Sequence, residues 1–481
     1  MAKKDKSFLI LHEKNIFKSI LLLALPIMFS NVLKSVHDIV DMYFVSNCDK
    51  PADTVNAMVS AITVTNPIIM IFQALAIGLM IAGTAIMSQY IGANRFDKAK
   101  KTSSQLLILC IVLGIVFNLI LFFTTEPILK LMGATDKPEV LKYAKQYVQI
   151  RSFEMTGLFM FYAYQATRQS MGDTVSPVIL NVFSILINIV LTAVMVKNFY
   201  VAGAAIATVI GNMLIIPVCL ILMFKTKQKN MQLSIKDLKP NGHYIKKLFS
   251  LGTPAALSQA FTSVGFLIIN SLILGFDEYI ISGIGIGNRI NSILLFPAMA
   301  VGTVLATFVG QNIGARNVKR AKKCVGVAMV IALLITTIGS TVLMFFREQL
   351  AGIFIEDDPK AIDSCVKYLY FLLVGLPLMG TFQIFIGAFQ GAGRTDFSLF
   401  LSSLRLWVLR IPVIMLYMYV FEIGEASIWY AMVISNFGAT VIGAILYAFV
   451  DFKPRLTTMK KNLMKQLEGE KEDGNRCEAI S

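Results

Sequence analysis

Long apolar runs, broken by short polar clusters, make up most of this chain. Twelve runs are each long enough for the roughly 20 residues that cross hydrocarbon as a helix. They lie near residues 16–46, 57–88, 102–124, 145–166, 175–197, 201–224, 247–275, 280–308, 324–346, 364–388, 396–420 and 427–450. The pattern predicts an all-α polytopic membrane protein with twelve transmembrane helices.

The polar clusters alternate in sign. Lys3, Lys4, Lys6, Lys14 and Lys18, then Arg95 to Lys101, Lys225 to Lys247, Arg316 to Lys323 and Lys453 to Lys465 fall on one side of the membrane. Asp49, Asp53, Asp277, Glu278, Glu356, Asp357, Asp358, Glu422 and Glu425 fall on the other. By the positive-inside rule the basic side is cytoplasmic, which places both termini inside the cell membrane.

One polar cluster recurs. Gln89-Tyr-Ile-Gly-Ala-Asn-Arg-Phe-Asp-Lys-Ala-Lys-Lys101 returns as Gln311-Asn-Ile-Gly-Ala-Arg-Asn-Val-Lys-Arg-Ala-Lys-Lys323. Gln169, Gly172 and Thr174 find counterparts in Gln390, Gly393 and Thr395, and Pro26 and Pro254 open the first span of each half. Several pairs in one order mean duplication: two six-helix lobes in parallel orientation, related by a pseudo-two-fold axis along the membrane normal. The expected divisions are a cytoplasmic N-terminus (1–15), an N-lobe (16–224), a cytoplasmic linker (225–246), a C-lobe (247–451) and a cytoplasmic tail (452–481). Pro240-Asn-Gly242 marks a turn, and the Lys-rich linker reads as a flexible tether. The charged tail, ending with Gly474 and Asn475, reads as a solvated or disordered segment.

Composition agrees: 481 residues, 56% of them hydrophobic and 15% charged, with a mean hydropathy of +0.69. A net charge of +15 would suit a nucleic-acid binder, but the cations sit in alternate loops, where they act as topology and lipid-headgroup determinants. Six scattered cysteines and three histidines show no paired spacing, so neither a disulfide nor a metal cluster is expected. The first apolar run is too long for a signal-peptide core and reads as a retained span.

Ionisable groups inside spans are costly and therefore candidates for function. The first span carries Lys34, His37, Asp38 and Asp41, a titratable cluster on neighbouring turns of one helix. Burial and a second carboxylate favour a held proton there and a nearby cation opposes it, so a poised, exchangeable proton at Asp41 is physically plausible. The opposing reading is that Asp41 lies about five residues, roughly 7 Å, from the span's end and simply reaches water. Topology brings Asn188, Thr192 and Thr208 to the same depth, where they could join Asp41 in one pocket or act as helix-helix glue. The fourth span holds Arg151 and Glu154. The second half has no carboxylate within its spans; its charges are Arg289, Arg405 and Arg410, read as substrate-binding or gating groups or as snorkelling helix-end residues. No Walker loop, His-Glu-x-x-His helix or Gly-x-Ser-x-Gly elbow occurs, so an enzyme or ATP-driven pump is not indicated.

Leu23-Ala-Leu-Pro26, Asp38-Ile-Val-Asp41-Met-Tyr-Phe44, Gln89-Tyr-Ile-Gly-Ala93, Gly203-Ala-Ala-Ile-Ala-Thr208 and Gln311-Asn-Ile-Gly-Ala315, in this order, resemble the multidrug and toxic compound extrusion (MATE) family over about residues 15 to 452. The resemblance implies a V-shaped, two-lobed antiporter of the cell inner membrane. Such a protein exports small organic, mainly cationic compounds in exchange for H+ or Na+, works as a monomer among membrane lipids and needs no other cofactor. Asp41 falls on the family's first-helix aspartate, Asn188 on its fifth-helix asparagine, Thr208 near its sixth-helix polar position, and Pro26 on its first-helix hinge proline. Thr192 stands where many relatives carry an acid, and Thr262 stands nearest a seventh-helix acid of another branch. A C-lobe sodium site is therefore not expected, and coupling falls to Asp41. A related fold also serves flippases of lipid-linked saccharides, an alternative that a cleft lined by Arg289, Arg405 and Arg410 would favour.

Overall fold

With no water in hydrocarbon to meet backbone amides, apolar runs of this length close their hydrogen bonds internally as helices. The computed structural model describes residues 6–131, 138–226, 229–355 and 358–453, without the side chains of residues 6–8, Asp38, Leu131, Lys229 and Phe354. Most of the expected tail therefore lies outside the described residues. In chain order the helices are α1 (Lys6–His12), α2 (Ile16–Ser46), α3 (Ala52–Gly92), α4 (Phe96–Leu131), α5 (Pro138–Ser152), α6 (Glu154–Ser170), α7 (Val175–Leu214) and α8 (Ile216–Phe224). The second half follows with α9 (Gly242–Ile273), α10 (Glu278–Gly314), α11 (Val318–Phe345), α12 (Arg347–Phe354), α13 (Pro359–Gly391), α14 (Thr395–Ser403), α15 (Ile411–Tyr419) and α16 (Ala426–Phe449). A π-helical segment, Leu404–Arg410, joins α14 to α15.

Among the described residues, ten stretches are long and apolar enough to cross a membrane. Two interruptions reconcile them with twelve spans. Tyr200, inside α7, has φ 52° and ψ −127°. Asn188 and Thr208 would lie about 30 Å apart on a straight helix, yet their side chains meet at 3.0 Å. The chain therefore folds back at Tyr200 and makes two spans. The fourth span is α5 and α6 together, broken at Phe153 between the charged Arg151 and Glu154.

Two cores lie in the first half, one on α3, α4, α6 and α8 that also takes in Leu248 and Leu251 of α9, the other on α2 to α7; a third lies on α9 to α16. The first span straddles them. Ile20, Leu23, Ala24 and Ile27 join a core of α10, α11 and α13, whereas Ser30 accepts from Asn181 Nδ2 on α7 at 2.8 Å. Pro26 lies at the changeover, and α2 stays helical through it.

The halves meet at the repeated motif. A Cβ on Gly92 would fall 1.9 Å from the Gln311 carbonyl oxygen, and one on Gly314 would fall 2.1 Å from that of Gln89. Only glycine permits such an approach. Gln89 Nε2 donates to the Gly391 carbonyl at 3.2 Å, and Gln311 Nε2 donates to the Ser170 carbonyl at 2.7 Å.

The linker departs from expectation, because it is docked rather than free. Lys100 pairs with Asp237 at 2.7 Å. Gln105, on α4, donates to the Lys239 carbonyl at 2.9 Å and accepts from the Asn241 amide at 2.8 Å. Met231 and Leu233 are buried in the N-terminal core. Two apolar side chains within a Lys-rich sequence are enough to pin it down.

Candidate functional site

A cavity of about 390 Å³ opens in the N-terminal half, walled by α2, α3, α5, α6 and both arms of α7. Its floor is made where the two arms of α7 touch. A Cβ on Gly211 would lie 3.0 Å from the Ser184 carbonyl and 3.2 Å from Asn188 Cβ, so a side chain there would wedge the arms apart. Gly211 and Gly203, where a Cβ would fall 2.4 Å from the Met195 carbonyl, are thus what lets two polar positions twenty residues apart face each other.

Those positions form a chain. Thr208 Oγ1 donates to the Ala204 carbonyl at 3.0 Å and accepts from Asn188 Nδ2 at 3.0 Å. Asn188 turns its Oδ1 toward Thr192 Oγ1, 3.4 Å away. Thr192 Oγ1 also lies 3.1 Å from Asp41 Oδ1, and its single proton serves that carboxylate. On the other carboxylate oxygen of Asp41, His37 Nε2 sits at 3.5 Å. Asn188, Thr192 and Thr208 are buried, while the Asp41 side chain keeps 16% of its surface exposed toward the cavity. The carboxylate, the amide oxygen and the two hydroxyls make a compact oxygen set, able to take a proton or a hard cation. Asp38 occupies α2 one turn after Lys34; its side chain lies outside the described residues.

A second network backs the cavity. Arg151 Nη2 pairs with Glu154 Oε1 at 2.6 Å, and Arg151 Nη1 donates to the Tyr147 hydroxyl at 2.9 Å. Asn212 Nδ2 donates to Glu154 Oε2 at 3.3 Å, and Ser184 Oγ donates to Asn212 Oδ1 at 2.9 Å. Glu154 is fully buried and Arg151 nearly so, so the two fourth-span charges neutralise each other. Sequence reasoning flagged both charges without pairing them. It missed Tyr147, one turn before Arg151, and Asn212, which has no charged residue within a turn and so gave no signal.

The second-half arginines do not gather at this cavity. Arg289 is exposed on α10. Arg405 and Arg410 are buried in the π-helical segment, packed against α13 and α16. The candidate hinge Pro26 stands one turn below Ser30 and next to Ile27, both of which line the same cavity.

With this geometry in place, comparison with known proteins is informative. The MatE family profile matches residues 26–194 and 254–416, one segment in each half. The multidrug export protein MepA of Staphylococcus haemolyticus is 24% identical over 96% of this chain and 99% of its own length. A FAD transporter of Shewanella oneidensis is 25% identical over 79% of this chain and 83% of its own. A solved multidrug resistance MATE transporter of the MOP superfamily, in an outward-facing conformation, superposes with a TM-score of 0.83 at 23% identity. It spans 90% of this chain and 95% of that one.

Proposed function

The chain belongs to the MatE family of membrane transporters, and from that premise we propose that it exports small organic compounds, mainly cations, in exchange for a proton or a sodium ion held at Asp41. The observation that carries this reading is the chain Asp41–Thr192–Asn188–Thr208, which ties three spans together on the wall of a cavity. Only Asp41 in that chain carries charge, so what occupies its carboxylate sets the bonding of the other three. A proton on Asp41 reverses the sense of its contact with Thr192, because the acceptor becomes a donor. A bound sodium ion would draw the same oxygens inward. Either occupant and an organic cation compete for one negative charge, which makes exchange the natural cycle.

The first span offers a route from ion to lobes. Asp41 lies on the arm of α2 that binds α7, and Ile20 to Ile27 lie on the arm that packs into the second half. Pro26 between them lacks the amide that would bond to the Leu22 carbonyl, so bending there costs less than elsewhere in the helix. The basic clusters Arg95 to Lys101 and Arg316 to Lys323 flank the interlobe contact, so by the positive-inside rule that end faces the cytoplasm and the cavity opens outward. We place the protein, as a monomer, in the cell inner membrane with both termini inside. The flippase alternative needs a cationic cleft, and none of the three second-half arginines lines the cavity that holds Asp41.

The test is uptake of a fluorescent organic cation into inside-out proteoliposomes under an imposed proton or sodium gradient. Wild type is expected to respond to one gradient and Asp41→Asn to neither, with both proteins equally monodisperse. Full activity in Asp41→Asn would sink the coupling assignment, and the gradient that drives wild type names the ion.

A further inference from the structure

Two guanidinium groups lie within one turn of each other in the second half. Arg405 and Arg410 are 3% and 7% exposed. In a π-helix, whose hydrogen bonds join residues five apart, the two positions of Leu404–Arg410 lie about one turn apart, Arg405 against α13 and Arg410 against α16. Among the described residues neither meets a carboxylate. Arg405 rests 4.7 Å over the Phe382 ring, and its Nε is buried without a hydrogen-bond acceptor. Arg410 donates Nε to Ser435 Oγ and Nη2 to Asn436 Oδ1, both at 2.8 Å, and reaches the Met432 carbonyl at 3.5 Å. Every partner is neutral. Two like charges held together in a span, with only dipoles and a ring to offset them, need a counter-charge from elsewhere.

The duplication says what kind of place this is. Ser184, Asn188, Tyr147, Asn66 and Phe161 all line the cavity of the first half. Their counterparts in the second half are Arg405, Tyr368 and Phe382 by the offset that relates Gln169 to Gln390, Asn288 by the offset, one longer, that relates Gln89 to Gln311, and Arg410, with the π turn absorbing one extra residue between the arginines. The arginines thus stand where the other lobe builds its ligand-facing wall. Side-chain contacts connect this place to the surface. Asn288 is exposed on α10 and accepts from the Tyr368 hydroxyl at 2.7 Å. Tyr368 touches the Met432 sulfur, and Met432 in turn receives Arg410. A line of contacts therefore runs from the α10 surface to Arg410.

We propose that Arg405 and Arg410 form an anion-binding site in the second lobe, which takes the carboxylate or phosphate group of an organic anion entering past Asn288 and Tyr368. A planar guanidinium pair suits an oxyanion, because each fork can supply two parallel hydrogen bonds. The site stands apart from Asp41, and its failure would leave the coupling reading untouched.

The chain has two tryptophans, and one, Trp407, lies between the arginines with its Nε1 bonded to the Phe261 carbonyl. In a Trp429→Phe background, Trp407 fluorescence reports on the site alone. Purified protein would be titrated at constant ionic strength with hexyl phosphate, hexanoate, inorganic phosphate and, as the cationic control, hexyltrimethylammonium. We expect a saturable change with the oxyanions and none with the cation. Affinity should fall about tenfold or more in Arg405→Gln and Arg410→Gln. Inorganic phosphate binding as tightly as hexyl phosphate would name a free anion as the occupant; tighter hexyl phosphate would name an organic one. Absence of any saturable anion response, or equal affinity in the Gln variants, would overturn the proposal. Should those variants not stay monodisperse, Arg405→Lys and Arg410→Lys decide the matter. They keep the charge but lose the fork, and an affinity unchanged from wild type would count against the site.

Discussion

The two lobes repeat one plan and then disagree about charge at corresponding places. In the first lobe a carboxylate, Asp41, meets the Thr192 hydroxyl, which in turn lies against Asn188, and has His37 beside its other oxygen. In the second lobe the position matching Asp41, by the offset between Pro26 and Pro254, is the buried Ile269, and Asn188 is replaced by Arg410. A carboxylate can exchange a proton for a cation, whereas a guanidinium that never loses its proton can exchange only the anion beside it. Duplication has nevertheless been kept where the lobes must fit each other. Gln89 and Gln311 reach to carbonyls at equivalent positions, and Gly92 and Gly314 allow equivalent close approaches. Symmetry survives at the contact and is lost at the sites.

The harshest way to break this comparison is to make the first lobe resemble the second. Asn188→Arg would hold a permanent cation beside Asp41, and gradient-driven uptake should fall as completely as in Asp41→Asn. Uptake within about threefold of wild type would show that Asp41 does not need an exchangeable partner.

Next in size is a test of the symmetric contact. Gly92→Leu and Gly314→Leu each place a side chain where a carbonyl oxygen already lies, an overpacking that typically costs about 1–3 kcal/mol. Both should hold the lobes apart at that end, seen as a longer distance between spin labels at Asp97 and Lys319. Because the two environments match, the variants should behave alike; a large effect in only one would mean that the contact is symmetric in form but not in energy.

Gln89→Leu and Gln311→Leu sharpen the same point more gently. Each removes one interlobe hydrogen bond and leaves a carbonyl unpaired, worth about 1 kcal/mol in a buried setting. Chemical denaturation in detergent should record similar small losses, with the double variant near the sum.

The smallest expected change is Thr192→Val, which keeps shape and removes one hydrogen bond to Asp41. A loss of about 0.5–1.5 kcal/mol corresponds to a several-fold weaker apparent ion affinity in the transport assay. No change would make Thr192 a packing residue.

Much of this protein could be read from its residues alone. The spans follow from hydrocarbon thickness, a one-dimensional constraint that each run meets by itself. Duplication was visible because Gln89 to Lys101 and Gln311 to Lys323 share an order, and Asp41 stood out because charges in spans are few. Tertiary structure alone decided which residues touch. The repeated glutamines look like boundary residues until each is seen bonded to the opposite lobe. Glu154 looks like a second candidate for coupling until Arg151 is found 2.6 Å away. The linker looks free until Gln105 and Lys100 hold it. Arg405 and Arg410 are five apart, a spacing that an α-helix would place on different faces, and only the π turn brings their positions about one turn apart. Span length is set locally by the solvent, but contact between spans depends on how small residues such as Gly92 and Gly211 let backbones approach, and that is fixed only once the helices pack.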